Sequence, residues 1–203
     1  MNSLLILAQA LGLSYASGVN LYATVALVGL MQRAGWIGQL PGALQPIGSW
    51  WIIGLALALY AVEFVATLVP GLASVWETVH GAIRPPAAAA LAVLTAWHGD
   101  PTLVAVAALL GGGLALTTHA TKLGLRYAID TSPEPVTNAG ANVAELGVVA
   151  TVSYFVWHHP VVTLAAALGL LAGMILALRI VWRMIKRVFR GDWLRGRAPV
   201  ENR

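Results

Sequence analysis

Two glutamates inside apolar segments are the residues whose chemistry most needs an explanation. Glu63 lies in the apolar segment 50–69, and Glu145 lies in the apolar segment 136–157. A charged side chain at the centre of a membrane helix costs about 2.5–3.5 kcal/mol on insertion scales, so it is expected to face a partner, water or a bound ion. Neither glutamate has a Lys or Arg within one helical turn in the sequence. Both therefore predict a polar site in the interior of the protein.

Further polar residues are spaced so that they would share helix faces with this site. Residues three or four apart lie on the same face of a helix, which makes one face from residues 119, 122, 126 and 130 and another from 138, 142 and 145. We expect an ion-binding or solute-binding site with a supporting polar network around it. The expected ligands are Asn20, Glu63, Asn142 and Glu145, and the network is Glu77, His80, Arg84, His119, Lys122, Arg126, Asp130, Glu134 and Asn138.

The charges of this set do not balance in the sequence. The acids outnumber the permanent cations, so at least one carboxylate is expected to be protonated or bound to a cation. The alternative is that the charged groups pair with one another and only fix the packing of the helices. The acids are Glu63, Glu77, Asp130, Glu134 and Glu145, and the cations are Arg84, Lys122 and Arg126.

The composition indicates an integral membrane protein. Hydrophobic residues make up 59% of the 203 residues and charged residues 10%, with a mean hydropathy of +0.78. Soluble domains are about 45–50% apolar and about 25% charged, so a disordered chain, a nucleic-acid-binding domain and an ordinary soluble enzyme are excluded. The absence of cysteine excludes disulfides and thiolate chemistry. No nucleophile–base motif is present, so an enzyme is disfavoured and no cofactor is expected.

The apolar segments predict an all-α, polytopic membrane bundle of about six crossings with broken or kinked helices. A crossing needs about 20 apolar residues. Residues 1–190 form one transmembrane domain, and 191–203 form a basic cytoplasmic tail. Eight of the twelve Lys and Arg lie at 179–203, which places the C-terminus in the cytoplasm of a bacterial inner membrane and, through six crossings, the N-terminus there as well. The segments are 3–32, 50–69, a third segment, 102–127, 136–157 and 161–187. Pro85-Pro86 opens the third segment, which ends at Trp97, and its span is expected to include residues before the prolines because it is short for a crossing.

The first segment is too long and too polar for one straight crossing. Glycine, serine and asparagine interrupt it, which predicts two half-helices that meet within Ser14–Asn20. Gly18-Val19-Asn20 resembles Gly140-Ala141-Asn142, and this indicates an internal two-fold pseudo-repeat whose copies supply matched asparagines.

Several short motifs resemble the bacterial membrane-protein family DUF4126 over about residues 10–160. The resemblance implies a membrane protein and supplies no activity. Its most specific part is the element Ser132-Pro133-Glu134-Pro135-Val136-Thr137-Asn138. The other matching motifs are Ser17-Gly18-Val19-Asn20, Glu63-Phe64-Val65-Ala66, Pro70-Gly71, Ser74-Val75-Trp76-Glu77, His80, Ile83-Arg84-Pro85, Gly112-Gly113, His119-Ala120-Thr121-Lys122 and Arg126.

The sequence leaves three classes of function. The favoured one is a small transporter or channel for an ion or small polar solute. The second is a structural or assembly protein of the membrane, and the third is a membrane enzyme that acts on a lipid-linked substrate. The expected partners are the lipid bilayer and the solute, without nucleic acid, and the oligomeric state and the metal content of the site stay open.

Overall fold

The described part of the chain folds entirely into helices. The computed structural model describes residues 2–41, 43–69, 71–130 and 135–189, and no strand occurs among them. A short 3₁₀ helix, Gln45–Gly48, precedes the third α-helix. The α-helices are α1 (Ser3–Val19), α2 (Leu21–Arg33), α3 (Trp50–Ala66), α4 (Leu72–Ala96), α5 (Pro101–Asp130), α6 (Pro135–His158) and α7 (Pro160–Phe189).

Charged side chains lie inside this bundle and large apolar side chains lie outside it. Glu77 and Arg84 are fully buried, whereas Trp51 and Leu109 are 90% and 77% exposed. A water-soluble protein shows the opposite distribution. Two helices of the described chain, Pro101–Ile129 and Val136–His158, are long and apolar enough to cross a membrane. These features support a membrane protein; they do not by themselves establish six crossings.

The first apolar segment is a helical hairpin with its apex at Asn20. Asn20 has extended backbone angles (φ −152°, ψ 107°) between α1 and α2, which confirms the predicted break. Leu13 and Val28 nevertheless line the same small cavity. In one continuous helix these two residues would be about 22 Å apart at 1.5 Å per residue. The chain therefore reverses its direction at Asn20.

The start of α1 and the chain after α2 lie at the same end of the bundle. Ser3, at the start of α1, and Pro41, after α2, line one cavity together with His98 and Asp100 of the α4–α5 turn. The first segment is thus not the single crossing that the six-crossing prediction requires. Ser3 lies at the same end as the α4–α5 turn, whereas the sequence prediction separates the two by the membrane.

Helices continue at two places where the sequence indicates a boundary. Pro85 and Pro86 lie inside α4, so the third segment includes residues before the prolines, as expected, and the amphipathic and apolar stretches form one helix of 25 residues. Asn142 lies within the continuous helix α6. The two Gly-x-Asn elements therefore differ in structure, since only the first contains a helix break, and no second half-helix is formed.

Small residues allow α1 to occupy the centre of the bundle. Helix α1 contacts α4, α5, α6 and α7. A Cβ atom on Gly18 would lie 2.7 Å from the carbonyl oxygen of Ala115 in α5, and one on Gly111 would lie 2.5 Å from Ser14 Oγ. Close backbone approach through small residues is a common way to pack membrane helices. This close packing fixes the position of the hairpin apex beside α5.

Candidate functional site: a charged cluster at the hairpin apex

Lys122 of α5 is the centre of a buried charged cluster. Its ammonium nitrogen lies 2.8 Å from Glu77 Oε1, 2.8 Å from Glu145 Oε2 and 3.3 Å from Glu63 Oε1. The three carboxylates come from α4, α6 and α3. Only 6% of Lys122 is exposed. One ammonium group therefore joins three helices in the interior of the bundle.

The break at Asn20 supplies a fourth oxygen for the same ammonium. In a continuous helix the Ala23 N–H would bond to the Val19 carbonyl. Here the Ala23 N–H donates to Asn20 Oδ1 at 2.9 Å, and the Val19 carbonyl accepts a hydrogen bond from Lys122 Nζ at 2.9 Å. The carboxyl end of α1 carries partial negative charge, so an ammonium group is favourable there.

Arg84 of α4 joins two of the same carboxylates. Its Nη2 donates to Glu63 Oε1 at 2.6 Å, and its Nη1 donates to Glu77 Oε2. Asn20 Nδ2 also donates to Glu63 Oε1, at 2.7 Å. The other oxygen, Glu63 Oε2, is buried without a hydrogen-bond partner among the described residues. Glu63 therefore keeps one acceptor position open inside the cluster.

The hydrogen bonds of His119 identify its ring as neutral. His119 Nε2 donates to the Glu77 carbonyl at 2.9 Å, while its Nδ1 lies 3.1 Å from Arg84 Nη1, which can only donate. The second histidine, His80, donates from Nδ1 to the Trp76 carbonyl at 2.8 Å, and its Nε2 lies 3.2 Å from the Tyr22 hydroxyl.

A second arm of the cluster connects α3, α5 and α6. Arg126 Nη2 donates to Glu145 Oε1 at 2.6 Å and to Asn142 Oδ1. Asn142 Nδ2 donates to Thr67 Oγ1 at 2.9 Å and to the Phe64 carbonyl at 3.3 Å. Asn142 therefore holds Arg126 against the end of α3.

The charges of the three described carboxylates and three permanent cations balance, and each carboxylate contacts at least one cation. The expectation of an unpaired carboxylate stays a prediction, because it also counted two acids that lie outside this set. The side chains of Asp130 and Glu134, which made the acids more numerous in the sequence, lie outside the described residues. No group of His, Asp and Glu side chains that suits a metal ion occurs in the described part of the chain. The three carboxylates are Glu63, Glu77 and Glu145, and the three cations are Arg84, Lys122 and Arg126.

The four residues expected to bind a ligand come together as two pairs. Asn20 contacts Glu63, and Asn142 is connected to Glu145 through Arg126. Lys122 joins the pairs because it contacts both glutamates. The expected network residue Asn138 is fully buried and has no hydrogen-bond partner among the described residues.

Three contributors were missed in the sequence. Thr67 lies four residues after Glu63, so the i, i+4 spacing gave a signal for it. Its hydroxyl donates to the Glu63 carbonyl at 2.8 Å. The Val19 carbonyl and the Tyr22 hydroxyl gave no signal, because a backbone oxygen has no sequence signature and Tyr22 reaches His80 only when the hairpin folds back.

A cavity of about 270 Å³ reaches one side of the cluster. It lies between α5 and α6 and is lined mostly by apolar side chains, but Lys122, Arg126 and Glu145 form part of its wall. Glu63 does not line it. The cluster is therefore accessible at Glu145, which is 15% exposed, and closed at Glu63.

Residues 7–180 match the family described as Domain of unknown function (DUF4126). The match spans most of the 203 residues. The chain belongs to this DUF4126 family. No curated protein and no solved structure shows significant similarity to it. The DUF4126 match includes the hairpin apex and all six charged residues of the cluster, so these positions belong to the family region.

Proposed function

We propose that this DUF4126 protein is a small membrane transporter or channel for an ion or small polar solute, with the Lys122 cluster as its ligand or coupling site. The observation that carries the proposal is the four-oxygen environment of the Lys122 ammonium. Three carboxylates from different helices and one carbonyl released by a helix break surround a single positive charge. Broken helices that present backbone oxygens to a cation are a recurring device of membrane transporters.

Shared contacts allow this cluster to rearrange without leaving any carboxylate unpaired. Glu63 contacts both Arg84 and Lys122, and so does Glu77. If Lys122 moves away, each carboxylate keeps an arginine partner and the cluster carries one net negative charge. A proton or a monovalent cation then restores neutrality. Glu63 Oε2, which has no hydrogen-bond partner among the described residues, is one acceptor available for it.

The hairpin supports a topology in which only α3–α7 cross the bacterial inner membrane. Basic residues at 179–203 favour a cytoplasmic C-terminus. Five crossings then put the start of α1, the chain after α2 and the α4–α5 turn on the periplasmic side. The apex at Asn20 would reach into the bundle from that side, which is tolerated because protein groups satisfy its backbone.

Flux through reconstituted vesicles tests the transport proposal. The purified protein is placed in liposomes, and the movement of H⁺, Na⁺ and K⁺ is followed with ion-sensitive dyes under an imposed membrane potential. We expect flux of at least one ion, and Glu63→Gln is expected to abolish it while the protein still folds. Asp100→Asn is the matched control, because Asp100 lies in the α4–α5 turn outside the cluster.

The complete pairing of the cluster favours a second candidate, a structural membrane protein. Its charges would then only fix the register of the helices. This candidate predicts no flux in the wild type and a lower stability for Glu63→Gln. The absence of H⁺, Na⁺ and K⁺ movement in vesicles that contain folded protein would contradict an ion-transport function.

A further inference from the structure

Two adjoining cavities lie along α1, and together they are called the pocket. The first, of about 270 Å³, includes Lys122 and Arg126 in its wall. The second, of about 280 Å³, lies between α1, α6 and α7 and is almost entirely apolar. Tyr15 and Leu170 line both, so the cavities adjoin. Pockets for organic ligands are typically about 300–1,000 Å³ and mostly apolar with a few polar groups.

The helices leave this pocket open toward the surrounding membrane. Helices α5 and α6 follow each other in the chain, yet their described backbones hardly approach one another. The cavity occupies the gap between them. On the α7 side, Val162 and Leu170 line the pocket and are exposed on the outer surface of the bundle. A ligand could therefore enter sideways from the bilayer.

The polar end of the pocket contains donors that the protein does not use. Arg126 is 1% exposed, and its Nε and Nη1 atoms have no hydrogen-bond partner among the described residues. A buried donor without a partner costs about 1–3 kcal/mol. The planar N–H groups of a guanidinium are well suited to the oxygens of a carboxylate or a phosphate. An oxyanion at this position would satisfy the unused donors.

We propose that this pocket binds a membrane amphiphile with an acyl chain and an oxyanion headgroup. The headgroup contacts the unused N–H groups of Arg126, and the chain lies between α1, α6 and α7. The cluster as a whole is neutral, so the preference for an oxyanion rests on the unused N–H groups of Arg126 and not on a net positive charge. This proposal does not depend on transport, because the amphiphile can be a substrate, a regulator or a stably bound lipid.

Binding is measured on the full-length protein in a neutral maltoside detergent. Native mass spectrometry and thermal unfolding are recorded with oleate, with lysophosphatidylglycerol, with the uncharged monooleoylglycerol, which has no oxyanion, and with inorganic phosphate. We expect both anionic amphiphiles to bind at least tenfold more tightly than monooleoylglycerol. Equal binding of the three amphiphiles would contradict an oxyanion site, and equal binding of inorganic phosphate would contradict the need for a chain.

Two matched tryptophan substitutions locate the ligand. Ala166 lines the apolar cavity and is exposed, whereas Ala172 is also exposed on α7 and does not line either cavity. Ala166→Trp is expected to weaken binding at least tenfold, and Ala172→Trp is expected to leave it unchanged. Equal effects of the two substitutions would place the amphiphile elsewhere.

Arg126→Lys tests the headgroup contact separately from the chain. The lysine keeps the positive charge but replaces the planar donors by one ammonium group. We expect this variant to lose most of the preference for anionic over uncharged amphiphiles while it still binds the chain. An unchanged preference in the folded variant would show that Arg126 does not bind the headgroup.

Discussion

Removal of the Lys122 ammonium is the sharpest test of the cluster. Lys122→Met keeps most of the side-chain volume and leaves three carboxylates with two arginines, a net charge of −1. Removing one partner from a buried ion pair costs about 3–5 kcal/mol. For a domain of this size 1 kcal/mol lowers the unfolding midpoint by about 2–4 °C, so the expected decrease is about 6–20 °C.

The geometry also identifies which carboxylate should couple most strongly to Lys122. At an effective dielectric constant of about 20, the gross attraction is about 6 kcal/mol at the 2.8 Å separation from Glu77 and about 5 kcal/mol at the 3.3 Å separation from Glu63. Glu145 also lies at 2.8 Å, but it is 15% exposed and therefore better screened. Glu77, which is fully buried, is expected to be the main partner.

A double-mutant cycle measures this coupling. Glu77→Gln in the Lys122→Met background restores the neutrality of the cluster. The double variant should therefore lose about 0.5–3 kcal/mol less stability than the sum of the losses in the two single variants. The assay is thermal unfolding in detergent, followed by tryptophan fluorescence. Lys186→Met is the control, since Lys186 is the chain's other lysine and is exposed on α7. An unchanged midpoint for Lys122→Met, or strictly additive effects, would refute the role of Lys122 as shared counter-ion.

Two further predictions concern the hairpin. The native chain lacks cysteine, so single cysteines can be labelled cleanly. Cysteines at Ser3 and Asp100 should be labelled by an impermeant reagent from one side of the membrane, and a cysteine at Lys186 from the other side. Labelling of Ser3 and Asp100 from opposite sides would exclude the hairpin. Gly18→Ala should lower the stability by about 1–3 kcal/mol because its Cβ meets the α5 backbone at 2.7 Å, whereas Gly113→Ala, with open space around it, should be neutral or slightly stabilising in the same thermal assay.

The sequence predicted the charged residues of the cluster, because membrane burial makes each charge expensive. Glu63 and Glu145 stand out against an apolar background, and helical spacing assigns Lys122 and Arg126 to one face of α5. The break before Leu21 was also visible, since polar and small residues interrupt an apolar segment there. These signals depend on local composition, which a sequence displays directly.

The direction of the chain after the break was not predictable in the same way. A kinked crossing and a hairpin have the same composition, and they differ only in whether Leu13 meets Val28. The proline pair in α4 is a second such case. Prolines usually end or kink a helix, so the sequence predicts that the third segment includes residues before Pro85 but does not predict an uninterrupted helix. Here α4 continues without interruption from Leu72 to Ala96. Tertiary packing, which the local sequence does not report, decides both cases.

The hairpin and the cluster depend on each other. The α1 C-terminus presents the Val19 carbonyl and partial negative charge to Lys122, while Asn20, which caps α2, donates to Glu63. Without the cluster the apex would leave a buried carbonyl unpaired, and without the apex Lys122 would lose one of its four oxygens. A movement of either part must therefore change the other. In the proposed transport function, a ligand that replaces the Lys122 ammonium would shift the hairpin, which connects the cluster to the end of the bundle where α1 begins and α2 ends.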